Sequence, residues 1–184
     1  MKRTILLAVL AALAGTAAAQ TAYIGGNVGR AEQKVSIDGF GSEKDHDTGF
    51  KLYGGYNFTQ NFGLEAGYAD LGKLERSDFE SSVSLEPKSV YLAATGTLPL
   101  DAQFSLFGKA GVARTEVKGT VSGLGFRDSG KENRTNGYFA VGAAYAINNN
   151  FSVVAEYEYF GKVYKEEGAD LKANMVSVGV RYKF

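Results

Sequence analysis

The sequence lacks cysteine altogether and has a single histidine and only 2 prolines among its 184 residues. Without cysteine, neither a disulfide framework nor a thiolate-bound metal ion is possible. The lone histidine, His46, has no second histidine with which to complete a metal or hydrolytic site. Stability must therefore come from hydrogen bonding and packing.

An excess of charge of one sign and long apolar runs are also missing. Lysine and arginine together number 20, as do aspartate and glutamate, so the basic surface that nucleic acids require is not expected. No stretch reaches the 18 or so continuous apolar residues of a membrane-spanning helix. We therefore expect neither a nucleic-acid partner nor helical membrane spans.

The first residues have the three parts of a secretory signal peptide. A basic start is followed by the apolar run 5–14 and by small residues at 17–19, the expected order for such a peptide. The apolar run is too short for a helix that spans a bilayer, which needs about 20 residues. We predict cleavage after Ala19, with a signal peptide at 1–19 and one exported domain at 20–184.

Glycine and aromatic residues are abundant, with 24 Gly, 12 Phe and 11 Tyr. Aromatic residues favour strands, and glycine suits tight turns or crowded surfaces of a sheet. Apolar residues alternate with other residues in segments of about ten, the length of a tilted membrane strand. Eight such segments occur, at 22–30, 46–58, 62–69, 89–98, 104–112, 138–147, 151–159 and 176–184.

The links between these segments alternate in length. The short links are 59–61, 99–103 and 148–150, and the long ones, rich in charge, are roughly 31–45, 70–87, 114–136 and 161–173. Short turns on the periplasmic rim and longer loops outside are typical of bacterial outer-membrane barrels. We predict an all-β fold, an eight-stranded antiparallel up-and-down transmembrane β-barrel with four extracellular loops.

The two faces of the strands predict which side meets lipid. One face is apolar throughout, whereas the other carries mainly small residues with a few charges, which suits a narrow lumen better than a water-facing surface. Buried charges must be paired, so we expect a network in the lumen that is either a structural plug or a gated ion path. Its predicted members are Glu65, Lys51, Lys109, Glu156, Glu158, Arg181 and Lys183.

Three segments carry a resemblance to a known family. Residues 50–72 (FKLYGGYNFTQNFGLEAGYADLG) resemble the second hairpin of the OmpA-like or opacity-type small outer-membrane barrels. Residues 137–160 (GYFAVGAAYAINNNFSVVAEYEYF) resemble the sixth and seventh strands of that family. The ending VSVGVRYKF resembles its closing strand. Tyr182 and Phe184 correspond to the terminal aromatic signal that the assembly machinery recognises.

The resemblance implies an outer-membrane location, insertion by the barrel-assembly machinery and contact with lipopolysaccharide. Glu65 matches the internal gate glutamate of the family, but the gate cations fall at Thr95 and Val154 here. Lys109 or Arg181 is the candidate substitute. Many OmpA proteins carry a separate peptidoglycan-binding domain, and we expect only the transmembrane domain here, without cell-wall tethering.

Three functions remain open at this stage: a structural or surface-interaction barrel, a narrow low-conductance channel, and a lipid A-modifying enzyme. A soluble barrel is a fourth alternative.

His46 between Asp45 and Asp47 could act as a general base or weak metal ligand, but a solvated residue is the simpler interpretation. The glycines of the motif Gly25-Gly26-x-x-Gly29 are not followed by a helix, so they do not predict a phosphate loop. We expect a monomer that is not an enzyme and has no catalytic, cofactor or metal site.

Overall fold

The computed structural model describes residues 21–37, 41–78, 81–123, 126–166 and 169–184. The predicted signal peptide lies outside these ranges and stays a prediction. Within them the chain forms nine strands: β1 (Thr21–Ile37), β2 (Gly41–Asn57), β3 (Phe62–Asp70), β4 (Leu74–Asp78), β5 (Ser81–Pro99), β6 (Phe104–Gly123), β7 (Phe126–Ala146), β8 (Phe151–Glu166) and β9 (Ala169–Lys183). No helix in the described ranges is long and apolar enough to cross a membrane.

These strands close into an eight-stranded antiparallel barrel, as predicted. Apart from β3 and β4, each strand pairs with the next along the chain, and β1 also pairs with β9, from Tyr23 opposite Lys183 to Ile37 opposite Ala169. Strands β3 and β4 both pair with β5 and together act as one barrel strand. The interruption between them includes Gly72, whose φ of 80° is in the region that favours glycine.

The apolar face points outward, which confirms the predicted sidedness. Leu52 is 60% exposed, whereas its neighbours Lys51 and Tyr53 are 0% and 5% exposed. The same alternation runs through β3, β8 and the membrane part of β9. A soluble barrel would place the apolar face inside, so the soluble alternative is not the fold observed.

The segments predicted as long loops are mostly strand, which corrects the sequence analysis. Strands β6 and β7 pair continuously from Phe104 opposite Tyr145 to Gly123 opposite Phe126, across most of the predicted loop 114–136. Pairing of β1 with β2 likewise extends to Ile37 opposite Gly41. Antiparallel strands satisfy each other's backbone groups whatever the polarity of their side chains, so apolar alternation marked only the membrane part of each strand.

The three short turns are built in the same way. Thr59, Asp101 and Asn148 each accept two backbone N–H groups, from the residues two and three positions later, at 2.6–3.2 Å. Local bonds of this kind explain why short polar side chains dominate turns. These turns lie at one rim of the barrel, which we take as the periplasmic rim.

Large aromatic side chains in the lumen lie opposite glycines on the neighbouring strand. Tyr23 pairs with Gly55 and Tyr53 pairs with Gly25, and each ring occupies the space that a Cβ at the opposite glycine would need. Tyr91 covers Gly67 in the same manner. The narrow lumen therefore holds large rings because glycine makes room for them.

Candidate functional site

The lumen has three layers between the extracellular and periplasmic ends. The first is a mainly apolar layer of buried side chains that includes Leu71, Val117, Phe160 and Met175. The second, which we call the ionic layer, consists of Lys51, Glu65, Lys109, Glu156 and Glu158. The third, the periplasmic vestibule, is a cavity of about 180 Å³ beside the short turns.

The ion pairs of the ionic layer link four strands of the barrel. The Lys51 ammonium pairs with Glu156 and lies 2.9 Å from Glu158 Oε1. The Lys109 ammonium lies 2.6 Å from Glu65 Oε1 and 3.0 Å from Glu156 Oε1. All five side chains are at most 4% exposed. Each buried charge thus has an opposite charge in contact, which a low-dielectric interior requires.

Three tyrosines complete the hydrogen bonding of the carboxylates. Tyr23 and Tyr91 donate to the two oxygens of Glu65, at 2.9 and 2.7 Å, and Tyr138 donates to Glu158 at 2.5 Å. The rings of Tyr91 and Tyr138 stack with centroids 4.4 Å apart. The predicted network did not include these tyrosines, although each lies on the lumen face by the same alternation that identified the charges.

Arg181 is bound less completely than the lysines. Its Nη2 lies 3.7 Å from Glu156 Oε1, and its Nε has no hydrogen-bond partner. Its guanidinium carbon is instead 4.7 Å from the centroid of the Tyr23 ring and 5.0 Å from that of Phe107. The residue is nonetheless only 7% exposed, so a buried cation here depends mainly on aromatic contacts.

Lys183 does not join the network, contrary to expectation. Its side chain lines the periplasmic vestibule and is half-buried. No carboxylate of a described residue forms an ion pair with it. Lys183 is the last residue of β9, so its side chain lies at the barrel rim, too far towards the periplasm to reach the ionic layer. The other six predicted residues lie close together inside the lumen.

Lys109 is the cation that contacts Glu65, and Arg181 contacts Glu156 instead. The positions that hold gate cations in the resembling family, Thr95 and Val154, are buried and uncharged here. Glu65 therefore keeps a lysine partner, but one supplied by a different strand position.

Two features of the outer surface bear on partners. Phe151, Tyr182 and Phe184 form an aromatic cluster near the end of β9, with adjacent ring centroids 4.9 and 5.1 Å apart. Towards the extracellular end, Arg114 lines a surface depression of about 290 Å³ together with Tyr68 and Lys88. Aromatic rings and cations at such heights suit the membrane interfaces.

His46, considered above as a possible base or metal ligand, lies beside a carboxylate. It lies in β2 opposite Glu32, with Nδ1 4.0 Å from a Glu32 carboxylate oxygen. Asp47 accepts hydrogen bonds from the backbone N–H groups of Thr48 and Lys73. Within the described ranges no group of three metal-binding side chains is close enough to hold an ion.

Comparison with known proteins identifies the family. A family model described as outer membrane protein beta-barrel domain matches residues 4–184. The chain belongs to this family. Outer membrane protein A of Yersinia pseudotuberculosis is 27% identical over 197 residues, which covers 100% of this chain and 56% of that protein. Outer membrane protein P5 of Haemophilus influenzae is 30% identical, with 100% and 61% covered. The chain thus spans little more than half the length of these relatives.

Solved structures agree on the fold. Neisserial surface protein A superposes with a TM-score of 0.63 at 20% identity, covering 89% of this chain and 97% of the other. The attachment invasion locus protein of Yersinia pestis, in complex with the heparin analogue sucrose octasulfate, gives 0.60 at 21%, covering 89% and 99%. The protein is a small barrel of the bacterial outer membrane. Its named relatives are likewise described as outer membrane proteins.

Proposed function

We propose that this protein is a structural and surface-interaction barrel with a closed lumen, and that its hairpins meet partners outside the cell. One observation carries the proposal: the ionic layer is fully paired and is covered on the extracellular side by the apolar layer. An ion that crossed would have to separate buried pairs and then pass Phe160 and Met175, which are both 0% exposed. Both steps strip water from charge, which is costly.

Planar-bilayer recording of the refolded barrel tests this proposal. We expect the wild-type protein to show no reproducible single-channel steps. Glu65→Ala removes one carboxylate of the ionic layer and leaves the apolar layer in place, so it should also stay silent. Glu132→Ala, on a partly exposed strand position outside the ionic layer, is the matched control. Regular steps from the wild type that change in Glu65→Ala would instead establish the narrow channel.

A contact with lipopolysaccharide phosphate is the partner that the outer surface favours. Arg114 is exposed at the extracellular end of the apolar belt, and Glu116, which lines the same depression, pairs with Lys131 at 3.4 Å. Tyr68 and Lys88 line the same depression. A guanidinium beside an aromatic ring at this height suits a phosphate with an adjoining acyl chain.

Binding of fluorescent lipopolysaccharide to the barrel in phospholipid vesicles measures this contact. Arg114→Gln should weaken binding about fivefold, which corresponds to one exposed charge contact of about 1 kcal/mol. Arg30→Gln is the control, since Arg30 is an exposed arginine on the separate strand β1. Equal weakening by both variants would show that only the overall charge matters.

For biogenesis, we propose that Tyr182 and Phe184 are the signal for the barrel-assembly machinery. Phe184 is 66% exposed and Tyr182 packs edge-to-face against it, so both rings lie at the end of the closing strand. Phe184→Ala should lower the yield of heat-modifiable barrel in outer-membrane fractions. Refolding of the same variant in detergent should be unchanged. A defect in both assays would indicate loss of stability instead.

A further inference from the structure

We infer that the periplasmic vestibule binds a small oxyanion of the phosphate class, held between Arg181 and Lys183. The cavity of about 180 Å³ is lined by both cations and by the hydroxyl-bearing residues Thr97, Ser105 and Ser152. It is roomy enough for one such anion and water, since a water needs only about 30 Å³. The inference holds whether or not the lumen conducts ions.

The first argument is the incomplete bonding of Arg181. A guanidinium has five N–H donors, yet the Nε of Arg181 has no hydrogen-bond partner, and the nearest carboxylate oxygen to its Nη2 is 3.7 Å away. That oxygen, Glu156 Oε1, already accepts a hydrogen bond from Lys109 at 3.0 Å. Arg181 is thus 93% buried, and its incompletely bonded guanidinium belongs to a residue that lines the cavity.

The second argument is the geometry imposed by the aromatic rings. Rings of Tyr23, Phe107 and Tyr53 surround the guanidinium, with its central carbon 4.7, 5.0 and 5.6 Å from their centroids. Stacking uses the flat faces of a guanidinium and leaves the N–H groups at its edge. Such an edge matches two oxygens of a phosphate.

The third argument is the balance of charge along the lumen. The ionic layer and Arg181 together hold three cations and three carboxylates, and Lys183 adds a fourth cation at the periplasmic end. Asp101 is the one carboxylate at the vestibule, but its Oδ1 accepts the N–H groups of Gln103 and Phe104. Among the described residues it forms no ion pair with either cation. Counting Asp101, the lumen holds four cations and four carboxylates, but neither Arg181 nor Lys183 has a carboxylate of a described residue within hydrogen-bond distance at the cavity.

Nuclear magnetic resonance of the ¹⁵N-labelled barrel in detergent micelles tests the site. Sodium phosphate is titrated at constant ionic strength against sodium chloride, and the Nε–H signal of Arg181 and the amide signal of Ser152 are followed. We expect a saturable shift with phosphate and none with chloride. A shift that stays linear, or that chloride reproduces, overturns the inference.

Two variants locate the anion. Lys183→Gln should raise the dissociation constant for phosphate about threefold or more, the effect of one partly exposed charge. Ser152→Ala, directly opposite Arg181 on the neighbouring strand β8, should also weaken binding. Lys118→Gln, a charge on the extracellular half of β6, is the control and should bind phosphate as the wild type does. The inference fails if neither vestibule variant differs from this control.

Discussion

The ionic layer and the periplasmic vestibule contain the same kinds of charged side chain, but they treat them differently. In the ionic layer Glu65 has a lysine and two tyrosines as partners within 3 Å. In the vestibule Arg181 has one carboxylate oxygen at 3.7 Å and Lys183 has none among the described residues. Burial alone therefore does not show that a charge is structural. The completeness of its hydrogen bonding separates a structural charge from one that is available to a ligand.

The largest loss of stability should come from replacing Glu156, which contacts both lysines of the ionic layer. Glu156→Ala leaves Lys51 and Lys109 with fewer partners in a dry interior, and breaking such a pair costs about 3–5 kcal/mol. Urea unfolding in lipid vesicles measures the loss. Because the sequence has no tryptophan, circular dichroism and the gel shift between folded and boiled barrel are the signals.

Glu132→Ala is the control for that variant. Glu132 pairs with Arg134 at 3.3 Å on a partly exposed surface, where a salt bridge contributes at most about 1 kcal/mol. If the Glu156 variant lost no more stability than this control, the ionic layer would not be the structural centre of the lumen.

A direct comparison of the two regions comes from removing one cation from each. Lys109→Met leaves Glu65 and Glu156 without a shared counter-ion and should cost about 3 kcal/mol. Arg181→Met removes a single long ion pair and aromatic contacts, for which about 1 kcal/mol is expected. Equilibrium unfolding of both variants under identical conditions gives the difference. Equal losses of unfolding free energy would show that Arg181 contributes as much to stability as Lys109, and the ionic layer and the vestibule would then not differ in this respect.

The packing around the ionic layer is tested at Gly67. A Cβ at this glycine would lie 2.6 Å from the ring of Tyr91, and this ring is held by Glu65 and by stacking on Tyr138. Gly67→Ala should therefore cost roughly 1–3 kcal/mol through overpacking. Gly96→Ala is the control, because its nearest neighbour would be at 4.0 Å. A Gly67 variant as stable as the control would show that the ring can move.

Alternation in the sequence was enough to predict the barrel, its sidedness and the lumen charges. A period of two assigns each side chain to a face wherever one face is apolar, which is why Lys51 and Glu156 could be placed inside. It could not assign partners, since Lys51 and Glu156 are 105 residues apart and meet only across the lumen. Tilt and closure decide such contacts.

Two predictions were wrong: the extent of the long loops and the place of Lys183 in the network. The limits of alternation explain both. Beyond the membrane the outward face carries polar side chains too, so the strand signal disappears although pairing continues from Val112 opposite Gly137 to Gly123 opposite Phe126. Lys183 has the correct parity for the lumen, but parity does not indicate height, and its position at the rim excludes it from the ionic layer. Both errors concern distance along the barrel axis, which alternation does not encode.

The smallest change in stability is expected from replacing Asp101, the carboxylate at the rim of the vestibule. Hydrogen bonds from the backbone N–H groups of Gln103 and Phe104 hold the pKa of this carboxyl below its usual 3.8. A lowered folded-state pKa means that the stabilisation is present above about pH 3.8 and is lost as the pH falls through the folded value. Carboxyl ¹³C titration should show this directly.

Asp101→Asn should keep the turn, because Asn148 accepts the same two bonds through its amide oxygen, and should abolish the acid-dependent change there. Asp101→Ala should loosen the turn at every pH, and an alanine variant with unchanged turn signals would show that these bonds do not hold it.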